Sequence, residues 1–222
     1  MHEMTRPVRF SPVHDALEHL HPHWGVLAGM AVALDFGSSA VERLMAKRLA
    51  LCDVSAFDRI SVKGAKAAAF LQEQNIPTPE DIYAIATLPD EGLIARTGKA
   101  EFFLEDGAHG NRVGCVRKAL GKGKEGVYPV LREDASFLIS GSEATEVMAQ
   151  TCGYDFRRAD SRMVFSRVAM VSCAILPRTL NGIPAFQLWL DSTYGAYLWE
   201  TLLAIVRELG GNVVGLSTFI SG

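Results

Sequence analysis

Two adjacent acids, Asp90 and Glu91, stand in LPDEGLIAR just ahead of a strand-like run. A carboxylate held there can hydrogen-bond an amine or move a proton, so these two are the candidate catalytic residues. Asp is also frequent in turns for local reasons, and solvated turn carboxylates are the simpler alternative. Four histidines, His14, His19, His21 and His23, crowd the segment that contains HLHPHW. His-rich tracts can hold metal, but no acid or Cys stands at a recognisable ligand spacing. The segment therefore reads as a partly exposed loop before the core, and no metal is expected. Cys52, Cys115, Cys152 and Cys173 are scattered, without a C-x-x-C pair. That spacing suits neither a zinc site nor a disulfide framework, and small buried hydrophobes are the expectation. GKGKEG, Gly121 to Gly126, lacks the G-x-x-x-x-G-K-[ST] pattern and reads as a hairpin or linker. There is no G-x-S-x-G elbow.

The elements that must position these groups come from a chain of 222 residues, 49% apolar and 21% charged. That is enough to bury a sizeable core as one unit or two interlocked ones. A net charge of −3 provides no basic footprint for nucleic acid. The first residues, MHEMTRPVRFSPVHD, lack the apolar stretch of a signal peptide. The longest apolar run, GVLAGMAVAL, is far shorter than the roughly 20 residues a membrane span needs, so a cytoplasmic protein is expected.

Ser39 lies three residues before Glu42, a capping-box spacing, and Val41, Leu44, Met45 and Leu49 form one helical stripe. FDRISVK reads as a strand with Phe57, Ile60 and Val62, ended by Gly64, which opens an Ala-rich helix carrying Phe70 and Leu71. TPED, from Thr78, predicts a helix start, with Pro at the first helical position and acids at the positive end. GLIART and EFFLE predict a hairpin about Gly98-Lys99-Ala100. A helix with Val113, Val116 and Leu120 on one face follows. VYPVLR and ASFLIS then read as a second pair of strands. VFSRVAMVSCAILP and AFQLWLD form a hairpin turned at Asn181-Gly182. Asp191 or Ser192 caps a helix whose Tyr194, Tyr197, Leu198, Leu202, Ile205, Val206 and Leu209 share a face, stopped by Gly210-Gly211. NVVGLS predicts a last short strand.

One unit recurs. Strand, Gly and a small-residue helix start appear at Gly64-Ala65-Lys66-Ala67-Ala68 and again at Gly141-Ser142-Glu143-Ala144-Thr145. Two copies predict two related halves, about 35–125 and 126–222, within a single unit over 1–222. Strands in hairpins with helices between them predict an α+β fold with antiparallel or mixed sheets and packed helices, not a doubly wound parallel sheet.

From FSPVHDALE through DFGSSAVERLMAKRLALCDVSAFDRISVKGAKAAAFLQ, the chain resembles the folate-binding aminomethyltransferases, the glycine cleavage T-protein superfamily. The matching positions are Glu42, Lys47-Arg48, Asp53-Val54-Ser55 and Gly64, and AFQLWLDSTYGAYLWETLLAIVRELGG matches the family's later strand and L-W-E-x-L-L helix. The resemblance implies a folate-binding T-protein-like domain, and it implies that the recurring unit is that domain's paired-half architecture. A chain ending at Gly222 would lack the T-protein's C-terminal barrel.

The family segment that supplies a catalytic Asp falls on Pro89-Asp90-Glu91-Gly92, with the acidic pair displaced. Its folate-binding Glu falls on Gln187, whose amide cannot pair ionically with a protonated pterin. The short, degenerate pattern is most similar to the gamma subunits of heterotetrameric sarcosine oxidases. That implies a non-catalytic accessory subunit of an N-methyl amine oxidising complex, with flavin-bearing oxidase subunits as partners, or a homo-oligomer. Trp199 or Tyr194 would be offered to the partner. The alternative implied is a tetrahydrofolate-dependent aminomethyltransferase or folate-binding protein. There Asp90 or Glu91 would hold the amine, while Gln187 and Asp53 would help seat tetrahydrofolate.

Overall fold

Two glycine corners set the frame of the chain. At Gly64 (φ +121°) and Gly141 (φ +99°) the backbone enters a region that side-chain-bearing residues rarely adopt. A Cβ on Gly64 would collide with the Gly126 carbonyl oxygen, and one on Gly141 would collide with that of Arg48. Both corners close alike. The Ala67 N–H donates to Gly64 O and the Ala144 N–H to Gly141 O, while Lys66 N–H donates to Gly126 O and Glu143 N–H to Arg48 O. Helices begin at Ala67 and Ala144, the same distance past each glycine.

The computed structural model describes residues 7, 9–158 and 162–220. In chain order come α1 (His14–Glu18), β1 (His23–Leu27), β2 (Met30–Asp35), α2 (Ser39–Arg48) and β3 (Ala50–Asp53). Then follow β4 (Arg59–Lys63), α3 (Ala67–Glu73), β5 (Ile85–Thr87), β6 (Leu93–Gly98), β7 (Glu101–Glu105), α4 (Arg112–Leu120) and β8 (Tyr128–Leu131). Last are β9 (Ala135–Ser140), α5 (Ala144–Thr151), β10 (Val164–Val168), β11 (Val171–Leu180), β12 (Ile183–Leu190), α6 (Gly195–Glu208) and β13 (Asn212–Val213). The chain is α+β, as expected, and it divides into two compact units. One gathers the described residues of 7–56, 134–158 and 164–220; the other gathers Phe57–Glu133 with 162–163. No helix among the described residues is long and apolar enough to cross a membrane.

The first unit carries a six-stranded sheet in the order β10-β11-β12-β9-β3-β13, antiparallel except for the β3–β13 pair. Its register puts Leu51 opposite Ile139, and Phe186 opposite Ile139 from the other side. These side chains join Phe137, Leu188 and Ile175 in one core with Val147 and Met148 of α5 and Leu198, Trp199, Leu202 and Val206 of α6. β1 and β2 form a separate hairpin. The second unit is an antiparallel sheet ordered β5-β6-β7-β4-β8, with Ile60, Val62, Ile94, Phe102 and Leu104 packed against α3 and α4. Phe70 and Leu71, the heavy apolar residues of α3, are buried, and so are Val113, Val116 and Leu120, the face of α4 read from spacing.

Several local expectations are overturned. Ser38, not Ser39, is the N-cap of α2, and it makes no side-chain cap bond. Glu42 reaches elsewhere, and its carboxylate accepts from Phe36 N–H at 2.7 Å and from Gly215 N–H at 2.6 Å. The helix therefore buries Glu42 and Ala46, while Val41 is 55% and Leu44 70% exposed. TPED opens no helix. Only a bend and turn separate it from β5, and the Arg96 guanidinium holds the Pro79 and Glu80 carbonyls. β8 pairs with β4 and β9 with β12 and β3, so VYPVLR and ASFLIS are in different sheets. VFSRVAMVSCAILP is two strands, split at Ala169 (φ 45°) and Met170 (φ 73°). Positive φ at both turn positions gives the hairpin twist usually supplied by Asn-Gly, as at Asn181-Gly182. Tyr194, just before α6, and Tyr197 on it are exposed, whereas Trp199 is fully buried, edge-on to Phe137 at 5.2 Å. Trp199 is not offered to a partner.

Candidate functional site

The buried strand segments ASFLIS and IPAFQLWL are almost wholly apolar, so their polar members need partners. Register places Gln187 beside Leu138 on β9 and Leu176 on β11, on the sheet face away from the helices. Ser136, Ser140 and Arg178 lie on that same face, because strand side chains alternate. Gln187, Ser136 and Ser140 are fully buried.

Arg178, Gln187 and Ser136 form a continuous hydrogen-bonded chain. Arg178 Nη1 donates to Gln187 Oε1 at 2.7 Å, and Gln187 Nε2 donates to Ser136 Oγ at 3.1 Å. A guanidinium can only donate, so the amide oxygen must face Arg178 and its nitrogen must face Ser136. The Ser136 N–H donates to Ser55 Oγ at 3.0 Å, while Ser55 donates its own N–H to Asp53 Oδ1 at 3.0 Å and its hydroxyl to the same oxygen. Val54 N–H adds a bond to Ser136 O at 2.9 Å. Asp53-Val54-Ser55 is thus a carboxylate-braced turn that locks the end of β3 to the start of β9. Asp53 and Gln187 are linked through Ser55 and Ser136. Cys52 is buried beside Leu138, and its thiol is pushed well up, first by burial and then by the Asp53 and Glu42 carboxylates.

Asp90 and Glu91 belong to the other unit. They occupy a tight turn before β6, with φ of 59° and 60°. Consecutive left-handed residues other than Gly are strained. The turn is pressed onto Gly107, where a Cβ would overlap the Asp90 carbonyl oxygen. The Asp90 side chain is 48% exposed, with its Oδ2 3.8 Å from Arg112 Nη1.

Nearby is a carboxylate that sequence reading missed. Asp106 is buried, accepting from the Arg112 and Val113 N–H groups at 3.0 Å each, which caps α4 from outside the helix. Burial pushes its carboxyl up, against the lowering effect of those two bonds. The other missed group is the ion pair of Arg59 Nε and Glu105 Oε2, 3.0 Å apart and 2% and 1% exposed. Their only sequence signal was that FDRISVK and EFFLE both carry charged residues within strand-like apolar runs. Among the histidines, His14 lies between Phe10 and Trp24 with ring centroids 4.5 Å from each, and His23 Nδ1 is 2.7 Å from Asp35 Oδ1. Among the described residues no His, Cys, Asp and Glu group could hold a metal ion.

The donor and acceptor set at Gln187 bears directly on a pterin. A carboxylate there would accept from the pterin's amino and ring N–H edge. Here the acceptor is neutral, fully buried and engaged by a guanidinium, and the amide's other end is engaged by Ser136. These residues do not fit a pterin held at position 187.

The fold matches that of glycine cleavage system aminomethyltransferase T from Bartonella henselae, with a TM-score of 0.73 and 19% identity over 95% of this chain. This chain covers 60% of that protein. It also matches a chain of the heterotetrameric sarcosine oxidase from Corynebacterium sp. U-96, solved in complex with pyrrole 2-carboxylate. There the TM-score is 0.62 and the identity 15%, over 78% of this chain and 93% of that one. No curated protein sequence matches significantly. A sheet-and-corner fold of this kind, with a family-model match running through residues 13–221, makes the chain a member of the GCVT N-terminal domain family.

Proposed function

We propose that the protein is a non-catalytic, cytoplasmic accessory subunit of a sarcosine-oxidase-like, N-methyl amine oxidising complex, its partners carrying the flavin. The observation that carries this reading is Gln187: a fully buried amide committed at both ends to the protein itself. A fold of this family whose ligand-facing carboxylate is replaced by an internal bond is suited to scaffolding. The likeness to nearly the whole of one sarcosine oxidase chain supports it. Exposed apolar side chains on two helices, Val41 and Leu44 on α2 and Tyr197 on α6, with Tyr194 just before it, provide contact positions for a partner. Tyr is a favoured interface anchor.

The test is purification of the tagged chain from its source under mild conditions. Co-elution with a stoichiometric flavin chromophore and sarcosine-dependent peroxide formation is expected. Elution as a flavin-free monomer overturns the reading. The alternative, a tetrahydrofolate-dependent aminomethyltransferase or folate-binding protein, is favoured by the acids Asp90 and Glu91 in their strained turn. It requires turnover with tetrahydrofolate and an amine donor that Asp90→Asn abolishes.

A further inference from the structure

We infer that Arg178 fills, from within the chain, the place of a guanidine-like ligand edge on Gln187. The edge of a pterin that a carboxylate recognises is a fork of N–H donors, from an exocyclic amine and a ring nitrogen around one carbon. A guanidinium is the same fork with a positive charge. In this protein the fork is Arg178. Its Nη1 reaches Gln187 Oε1 at 2.7 Å, from the neighbouring strand and on the same face. The register explains the reach. Leu176 stands opposite Gln187, so Arg178 lies on the diagonal, within range of a long side chain.

The neutral amide suits the same geometry. Position 187 accepts from Arg178 Nη1 on one side and donates to the Ser136 hydroxyl at 3.1 Å on the other. A Gln does both at once, whereas an ionised Glu only accepts. Both ends of the amide are therefore engaged from within the chain, with its oxygen taken by Arg178. The ligand class that could compete is narrow: small guanidinium or 2-aminopyrimidine groups, and only when Arg178 is removed. This inference rests on the geometry at Gln187 and not on the accessory-subunit reading. The isolated chain tests one and the flavin-bearing complex the other.

The experiment is thermal unfolding and calorimetry of the purified full chain, using methylguanidinium and tetrahydrofolate as probes. Arg178→Ala should lower the Tm by about 5 °C, the scale set by losing a charge-assisted hydrogen bond in a chain of this size. Methylguanidinium at millimolar concentration should raise the Tm of Arg178→Ala, while doing nothing for the wild type or for Arg178→Ala/Gln187→Ala. Tetrahydrofolate should give the wild type no saturable heat. If Arg178→Ala does not fold, Arg178→Met keeps the aliphatic stem and takes its place, with the same rescue expected. The inference is overturned if the folded variant keeps the wild-type Tm. It is overturned equally if methylguanidinium acts alike on all three proteins, or if tetrahydrofolate binds the wild type saturably and Gln187→Ala weakens that binding.

Discussion

Gln187 donates its amide N–H to the hydroxyl of Ser136 across a 3.1 Å bond, and both residues are fully buried. This bond joins β12 to β9 on the face opposite the helix-packed core, and it ties the Arg178 guanidinium to the Asp53-Val54-Ser55 turn. Gln187→Leu would keep the volume but strand the Arg178 donor and the Ser136 hydroxyl. The expected cost is about 2–4 kcal/mol, since a buried group left without a partner loses its hydration uncompensated. Ser136→Ala removes one acceptor from the Gln187 amide and should cost about half as much. Urea unfolding midpoints would check both, with an unchanged m-value as the control.

The Arg59–Glu105 pair stands directly across β4 and β7 in register, shielded from water at 2% and 1% exposure. Removing one partner leaves an uncompensated buried charge. Glu105→Ala and Arg59→Ala should each cost about 3–5 kcal/mol. Arg59→Met/Glu105→Leu, which removes both charges, should be far milder than the sum. A double-mutant cycle in chemical denaturation measures the difference.

Thiol reactivity should separate one cysteine from three. Cys115 is exposed on α4, whereas Cys52, Cys152 and Cys173 are buried. Burial pushes the Cys173 thiol up to about 12, so it stays protonated at neutral pH. One equivalent of a thiol reagent should react in the native protein and all four in denaturant. Cys115→Ser should abolish the fast phase, as followed by mass spectrometry.

The raised Asp106 carboxyl gives stability a definite slope with pH. Its folded-state pKa lies above the unfolded value, so between the two the folded chain binds more protons than the unfolded one. Stability from this group therefore falls as pH rises through that window, and the charged form carries the cost above it. Asp106→Asn should flatten the slope in acid. It should also lose about 1 kcal/mol throughout, because its amide can accept only one of the two cap bonds to α4. Urea midpoints measured across the acid range for both proteins would check the sign.

Short-range order was legible in the residues. Gly64 and Gly141 marked two corners that the structure builds alike, with matching carbonyl contacts and helix starts. Residue type and spacing revealed the apolar residues of α3, the face of α4, the hairpin at Lys99-Ala100 and the turn at Asn181-Gly182. Each depends on interactions within one turn or two adjacent strands, where side-chain type sets backbone preference. Gln187 was marked by the family resemblance alone, as the position of the folate-binding Glu.

Tertiary structure alone decided which partners those residues meet. Glu42 had the spacing of a local cap, yet it accepts from Gly215, 173 positions away. The stripe Val41-Leu44 had helical period but faces solvent, because burying the Glu42 carboxylate turned the helix the other way. VYPVLR and ASFLIS are neighbours in sequence and belong to different sheets. The Asp106 cap and the Arg59–Glu105 pair leave almost no trace in composition. Periodicity records that a side chain is buried, but its hydrogen-bond partner is set by strand order and register, which bring distant residues to one face.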